Sequence, residues 1–293
     1  MDQWITIHAS LAYFALAMTF ISVWVKRSPW IWGPFLLFAL ILGYFAKILT
    51  PIAFAPIGAL LILHTLLKGD IRGLARFVLV AVTTVVSVGL LTHYFPGFHN
   101  IRLFDKVPIS PHSYPVTLWL SFDKPFIALF ILALGFPLVA NLREFGNVLK
   151  VTLPLMIGGV VLLALLGLFS GLIAWDPKFP QIFWAFALIN LFVCIVEEAF
   201  WRGFIQNEFF RWFGGKGFVA SISSVFITAL PFAALHYFWV PNLPFLGLVF
   251  VAGIIYGSIY QFTRALEASI FTHWVFNLTH FLLFTYPLLR DVL

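Results

Sequence analysis

Ile182-Phe183-Trp184-Ala185-Phe186-Ala187-Leu188-Ile189-Asn190-Leu191-Phe192-Val193-Cys194-Ile195-Val196-Glu197-Glu198-Ala199-Phe200-Trp201-Arg202-Gly203-Phe204 is an apolar run of membrane-spanning length that contains two adjacent carboxylates and a guanidinium. A charge near a bilayer midplane costs roughly 2.5–3.5 kcal/mol on insertion scales, and ionisable groups held there are functional by default. Part of that cost has a local remedy. Glu198 and Arg202 are four apart, so on a helix they share a face and can pair. Glu197 points about 100° away and lacks that partner. Two later stretches can meet it, Phe232 to His236 and His273 to Asn277, each at i, i+4 spacing. The bland alternative is polar glue between membrane helices. Three such polar sites in one membrane domain are costly to keep without a use.

The rest of the composition agrees with a membrane chain. Of 293 residues, 62% are hydrophobic and 10% charged, and the mean hydropathy is +1.03. Soluble domains do not look like this, and the apolar runs do not alternate as barrel strands do. The fold expected is all-α, a polytopic transmembrane helical bundle of about eight to ten segments. The net charge of +6 is spread over loops, which speaks for topology and contact with membrane lipids and against a nucleic-acid partner. The 36 Phe suit lipid-facing and packing surfaces, and the 11 Trp suit interfacial belts. A single cysteine, Cys194, excludes an intramolecular disulfide and a cysteine-rich metal site. Its own reading is a small buried apolar side chain. Met1-Asp2-Gln3-Trp4 has no basic n-region, so the first run is expected to be a retained helix and not a signal peptide.

Ten runs are candidate segments: Trp4–Val25, Trp30–Phe45, Ile48–Leu67, Leu74–Phe95, Pro125–Ala140, Val151–Ala174, Ile182–Phe204, Phe218–Phe238, Phe245–Phe262 and Ala268–Leu288. Ten basic residues (Lys26, Arg27, Lys68, Arg72, Arg76, Arg143, Lys150, Arg211, Lys216, Arg264) fall in alternate loops. Six (Lys47, Arg102, Lys106, Lys124, Lys178, Arg290) fall in the others. The positive-inside rule then puts both termini outside, in the cell (inner) membrane. Pro96, Pro108, Pro111 and Pro115 argue against a helix in the loop from Pro96 to Lys124. Residues 1–145 are expected to form a bundle without readable chemistry and 146–293 a second domain with the polar motifs. His8, His64 and His93 are read as packing residues without partners, and His99 and His112 as solvated. After Arg202, the stretch from Gly203 to Phe213 reads as an amphipathic continuation into the interface, ended by Gly214-Gly215.

Glu197-Glu198-x-x-x-Arg202, Phe232-x-x-x-His236 and His273-x-x-x-Asn277 lie in that order on successive apolar runs. The set resembles the CAAX prenyl protease and bacteriocin-processing family over about residues 181–281. Trp201 departs from it, since the family often has Phe before the arginine. The resemblance implies an α-helical intramembrane endopeptidase of the glutamic type; no metal or other cofactor is expected, because an asparagine one turn after a zinc ligand would be dispensable. Glu197 with His236 would activate a water, His273 and Asn277 would stabilise the oxyanion, and Glu198 with Arg202 would hold the site together. The substrate would be a membrane-associated peptide or protein, including lipid-modified ones.

The residue chemistry supports these roles separately. Hydrolysis in a membrane needs a trapped water, a base and an oxyanion stabiliser. Glu197 is an unpaired carboxylate, a histidine can position the water and share its proton, and His273 and Asn277 lie one turn apart on one face. Other readings stay open. A zinc metalloprotease would use His236 and His273 as ligands, but there is no His-Glu-x-x-His helix. A transporter should show repeat symmetry, and a non-catalytic scaffold or immunity protein has no need of the full set. One tension is geometric. Glu197 lies 17 residues before Gly214 and His236 lies 21 after Gly215, so straight helices leave the two offset by roughly 6 Å in depth. A kink at Pro231 or helix tilt is expected to close the gap.

Overall fold

The computed structural model describes residues 6–292, and the expected start of the first segment at Trp4, with the reading of Met1 to Trp4, lies outside them. The chain divides into two compact units, residues 1–103 with 119–140, and residues 104–118 with 141–293.

The first unit holds α1 (Ile7–Val25), α2 (Pro29–Phe45), α3 (Phe54–Leu67), α4 (Gly73–Leu91) and α5 (Pro125–Leu134). α1 starts where Thr6 accepts a hydrogen bond from Ala9 N (3.1 Å), an N-cap that satisfies one orphan donor. Its small buried face, Ala9, Ala12 and Ala15, lets α2 pack closely against it. Pro29 opens α2 where its missing N–H costs nothing. α3 is shorter than the expected run because Pro51–Ala53 winds as a 3-10 turn first. His93 does have a partner, contrary to expectation: its Nδ1 donates to Asp123 Oδ2 at 2.6 Å, and Asn100 Nδ2 donates to Asp123 Oδ1 at 3.2 Å. Asp123 is 1% exposed, and a carboxylate so deeply buried needs such donors. His64 is buried, whereas His8, His99 and His112 are exposed.

The loop after α4 contains a two-stranded sheet that the all-α reading did not include, β1 (Ile101–Val107) and β2 (Val116–Leu120). Pro108, Pro111 and Pro115 fall between the strands, so they break neither ladder.

The second unit holds α6 (Leu142–Phe169), α7 (Phe183–Glu198), a π-helical segment (Ala199–Gln206), α8 (Asn207–Trp212), α9 (Gly217–Leu235), α10 (Leu243–Thr263) and α11 (Leu266–Leu283). α6 begins nine residues before the expected start at Val151, where Asn141 caps it by accepting from Glu144 N (2.9 Å). α7, the π segment and α8 form one continuous run that stops at Gly214 and Gly215, whose φ of +97° and +67° suit glycine. α10 packs on α6, α9 and α11, and α11 also packs on α6 and α7.

Six helical runs of the described residues are long and apolar enough to cross a membrane: α1, α4, α6, Phe183–Trp212, Gly217–Phe238 and α10. Pro29–Phe45, Pro51–Leu67 and Pro125–Leu134 are shorter apolar helices. The protein is a polytopic helical membrane protein.

Candidate active site

Glu198 is the centre of the polar cluster. It and Arg202 are both 0% exposed. Arg202 Nε donates to Glu198 Oε2 at 3.0 Å across one helical turn. From α11, His273 Nδ1 donates to Glu198 Oε1 at 2.9 Å, and the Ser269 hydroxyl donates to Oε2. Three donors from two helices thus surround one carboxylate, which is what a charge in this environment needs. The guanidinium also lies 4.9 Å from the centre of the Phe232 ring, a cation–π contact.

The π segment begins directly after Glu198 and contains Arg202 and Gln206, both buried. Wide turns of this kind concentrate at functional sites. Gln206 Nε2 reaches the Gly257 carbonyl at 3.0 Å, tying the segment to α10.

His236 sits at the end of α9, where the helix tightens into a 3-10 turn over His236–Phe238. Its Nδ1 lies 2.8 Å from the Phe232 carbonyl. A carbonyl only accepts, so Nδ1 carries the proton and Nε2 is the acceptor nitrogen. Phe232 lies beside Trp201 (ring centres 6.1 Å apart) and beside His273 (6.2 Å). α7 and α9 run in opposite directions around Gly214-Gly215. The contacts of Phe232 with Trp201 and Arg202 therefore set a register. One turn beyond Phe232 is His236, and one turn before Arg202 is Glu198, with Glu197 beside it.

Asn277 is held one turn from His273. Its Nδ2 donates to Asn190 Oδ1 (3.2 Å) and to Cys194 Sγ (3.7 Å), and the Cys194 thiol donates to Asn190 Oδ1 (3.5 Å). Cys194 is buried, as expected, but in a polar setting and not an apolar one. His280 does not join this group: its Nε2 pairs with the Thr285 carbonyl at 3.1 Å.

Glu197 differs from its neighbour in every respect. It is partly exposed and makes no hydrogen bond or ion pair with any described residue. Its charge acts on the Cys194 thiol and on the Tyr256 and Tyr286 phenols. The structure thus joins Glu198, Arg202 and His273 by direct bonds, links His236 to them through Phe232, and sets Asn277 beside Cys194 on the face of Glu197.

Four contributors were not singled out in the sequence: Asn190, Ser269, Tyr256 and Tyr286. Two carried a usable signal. Asn190 lies four before Cys194 and Ser269 four before His273, so each shares a helical face with a recognised residue.

The segment after α11 is tied to the loop before α7 and to the loop between the two strands. Tyr286 N donates to Ser113 Oγ (3.1 Å), Thr285 N to the Ala174 carbonyl (3.0 Å) and Leu289 N to the Leu172 carbonyl (3.0 Å). Asp176 accepts from Ser110 and from Lys178 Nζ, the latter at 3.1 Å, and Lys178 also reaches the Phe284 carbonyl. Burial by itself would raise the Asp176 carboxyl, but the Ser110 hydroxyl and the Lys178 ammonium outweigh it and hold the group below its usual value.

Among the described residues, no group of three or more His, Cys, Asp or Glu side chains is placed to hold a metal ion.

Residues 179–279 match the family model described as Type II CAAX prenyl endopeptidase Rce1-like. The family match together with the six membrane-length helices makes the protein a membrane protease. The match covers α7 to most of α11 and none of the first unit. No curated protein and no solved structure matches the chain.

Proposed function

We propose that the protein is a metal-independent glutamic endopeptidase that cleaves a prenylated peptide or protein at the membrane, in the cell (inner) membrane. The observation that carries this reading is the contrast between adjacent carboxylates. Glu198 is saturated by three donors, so it is structural; Glu197 has none and is free to take a proton.

Glu197 removes a proton from a water oriented by Nε2 of His236. The water oxygen bonds to the scissile carbonyl carbon, and the carbonyl π pair moves to its oxygen. His273 and Asn277 face that oxyanion. Collapse of the intermediate breaks the C–N bond, and the proton held by Glu197 passes to the leaving amine. Asn277 gives up its weak contact with Cys194 Sγ (3.7 Å) for the oxyanion while Asn190 keeps the other N–H.

The test uses purified protein in lipid nanodiscs and an internally quenched farnesylated CAAX peptide. Cleavage is expected to survive exhaustive chelation. Loss of cleavage on chelation, restored by one zinc per chain, would move the assignment to a metalloprotease.

Asn277→Ala is expected to slow cleavage by about 10²- to 10³-fold, the usual effect of removing one oxyanion donor. Asn277→Asp should fail as well, because a carboxylate repels the developing charge. Full activity in either variant would remove Asn277 from the mechanism.

A further inference from the structure

We propose that Tyr256 is a catalytic residue, its phenol O–H donating to the oxyanion alongside His273 and Asn277. This rests on the proteolytic reading above and adds a group from α10, the helix between the second and third motifs.

A count of donors leads to it. Both N–H groups of Asn277 are engaged in the resting site, one with Asn190 and one with Cys194. The Nδ1 proton of His273 is engaged with Glu198, and Nε2 donates only when the ring carries a second proton. Neither residue therefore offers a free N–H to an arriving carbonyl while the imidazole is neutral. Tyr256 does offer a free donor. It is 2% exposed, and its hydroxyl makes no hydrogen bond with any described residue. The residue is almost fully buried but its hydroxyl oxygen is not sealed off, so a ligand in the site can accept from it.

Its position suits the role. The phenol ring stacks on the His273 imidazole, ring centres 4.5 Å apart and planes inclined by 19°. The ring is also 6.4 Å from Phe232 and 6.4 Å from Phe276. Two glycines flank it on α10 and let the helix approach its neighbours. A Cβ on Gly253 would come within 3.0 Å of the Phe232 ring, and one on Gly257 within 2.8 Å of Gln206 Oε1. The close seams above and below Tyr256 carry its ring into the cluster. The Ser269 hydroxyl, which serves Glu198, also lies 3.3 Å from the Tyr256 carbonyl, so the backbone there is anchored to the same group. Its phenol lies within the fields of Glu197, Glu198 and Arg202. A phenol that donates without losing its proton needs no further reactant.

The test compares Tyr256→Phe with wild type on the farnesylated quenched peptide, alongside thermal unfolding in the same nanodiscs. Phe keeps the stack on His273 and removes only the O–H, which has no partner to strand. The expected result is a kcat lower by about 10²-fold, a KM within twofold and an unchanged Tm. An unchanged kcat overturns the proposal and leaves the proteolytic reading standing. A fall in Tm that tracks the loss of activity also overturns it, since the phenol would then be structural. A wild-type protein that leaves the peptide intact overturns both.

Discussion

Replacing Glu197 with Gln is expected to abolish cleavage and leave the protein folded at wild-type yield. The amide has nearly the shape of the carboxylate but cannot take the proton of the attacking water. A positioned general base contributes about 10²- to 10⁴-fold, and the loss should be at the upper end because the neighbouring Glu198 is held by its three donors. The fold should not notice. Glu197 makes no hydrogen bond or ion pair with any described residue, so no partner is stranded. Comparing the peptides of membranes that contain wild-type or Glu197→Gln protein would check this and reveal the natural substrates as fragments that disappear. Cleavage retained by the variant would remove Glu197 from the mechanism.

Arg202→Ala should do the reverse and damage the fold before the chemistry can be assayed. It would leave Glu198 buried with His273 and Ser269 as its remaining donors, and remove the cation over Phe232. Breaking a buried pair from one side typically costs about 3–5 kcal/mol. That is a large share of the roughly 5–15 kcal/mol by which proteins are stable. Low yield and a much reduced Tm in detergent are expected. Removing both charges, as Glu198→Gln with Arg202→Met, should recover much of the folded protein because no charge is then left alone. Wild-type yield and Tm for Arg202→Ala would show that the pair carries no structural weight.

The two experiments rest on features that differ in how far the sequence discloses them. Glu198 and Arg202 are one turn apart on one helix, so their pairing follows from spacing alone. The apolar runs are legible for the same local reason, and most helices start within a few residues of the expected places. Pairings between distant segments are less visible. Ser269 and His273 meet Glu198 across more than seventy residues, and only the choice of helix neighbours decides that. Tyr256 looks like one more aromatic in an apolar helix until its ring is found on His273. The hairpin at β1 and β2 was hidden by prolines, which mark its turn region and not the absence of strands. The π winding after Glu198 has no local sequence code; Gln206 at its end is held by α10.

That winding bears on how such a sequence tolerates change in length. In a regular α-helix, inserting or deleting one residue turns everything beyond it by about 100°, which would swing α8 off its seat. The stretch Ala199–Gln206 already holds wider turns than an α-helix needs. A residue lost there can be absorbed by rewinding towards α geometry, and a residue gained by extending the wide turns, while the helices on either side keep their faces. The part of the segment beyond Arg202, residues 203–206, thus acts as a length buffer, and insertions and deletions among relatives are expected to gather there and not between Glu198 and Arg202 or within α7 or α11.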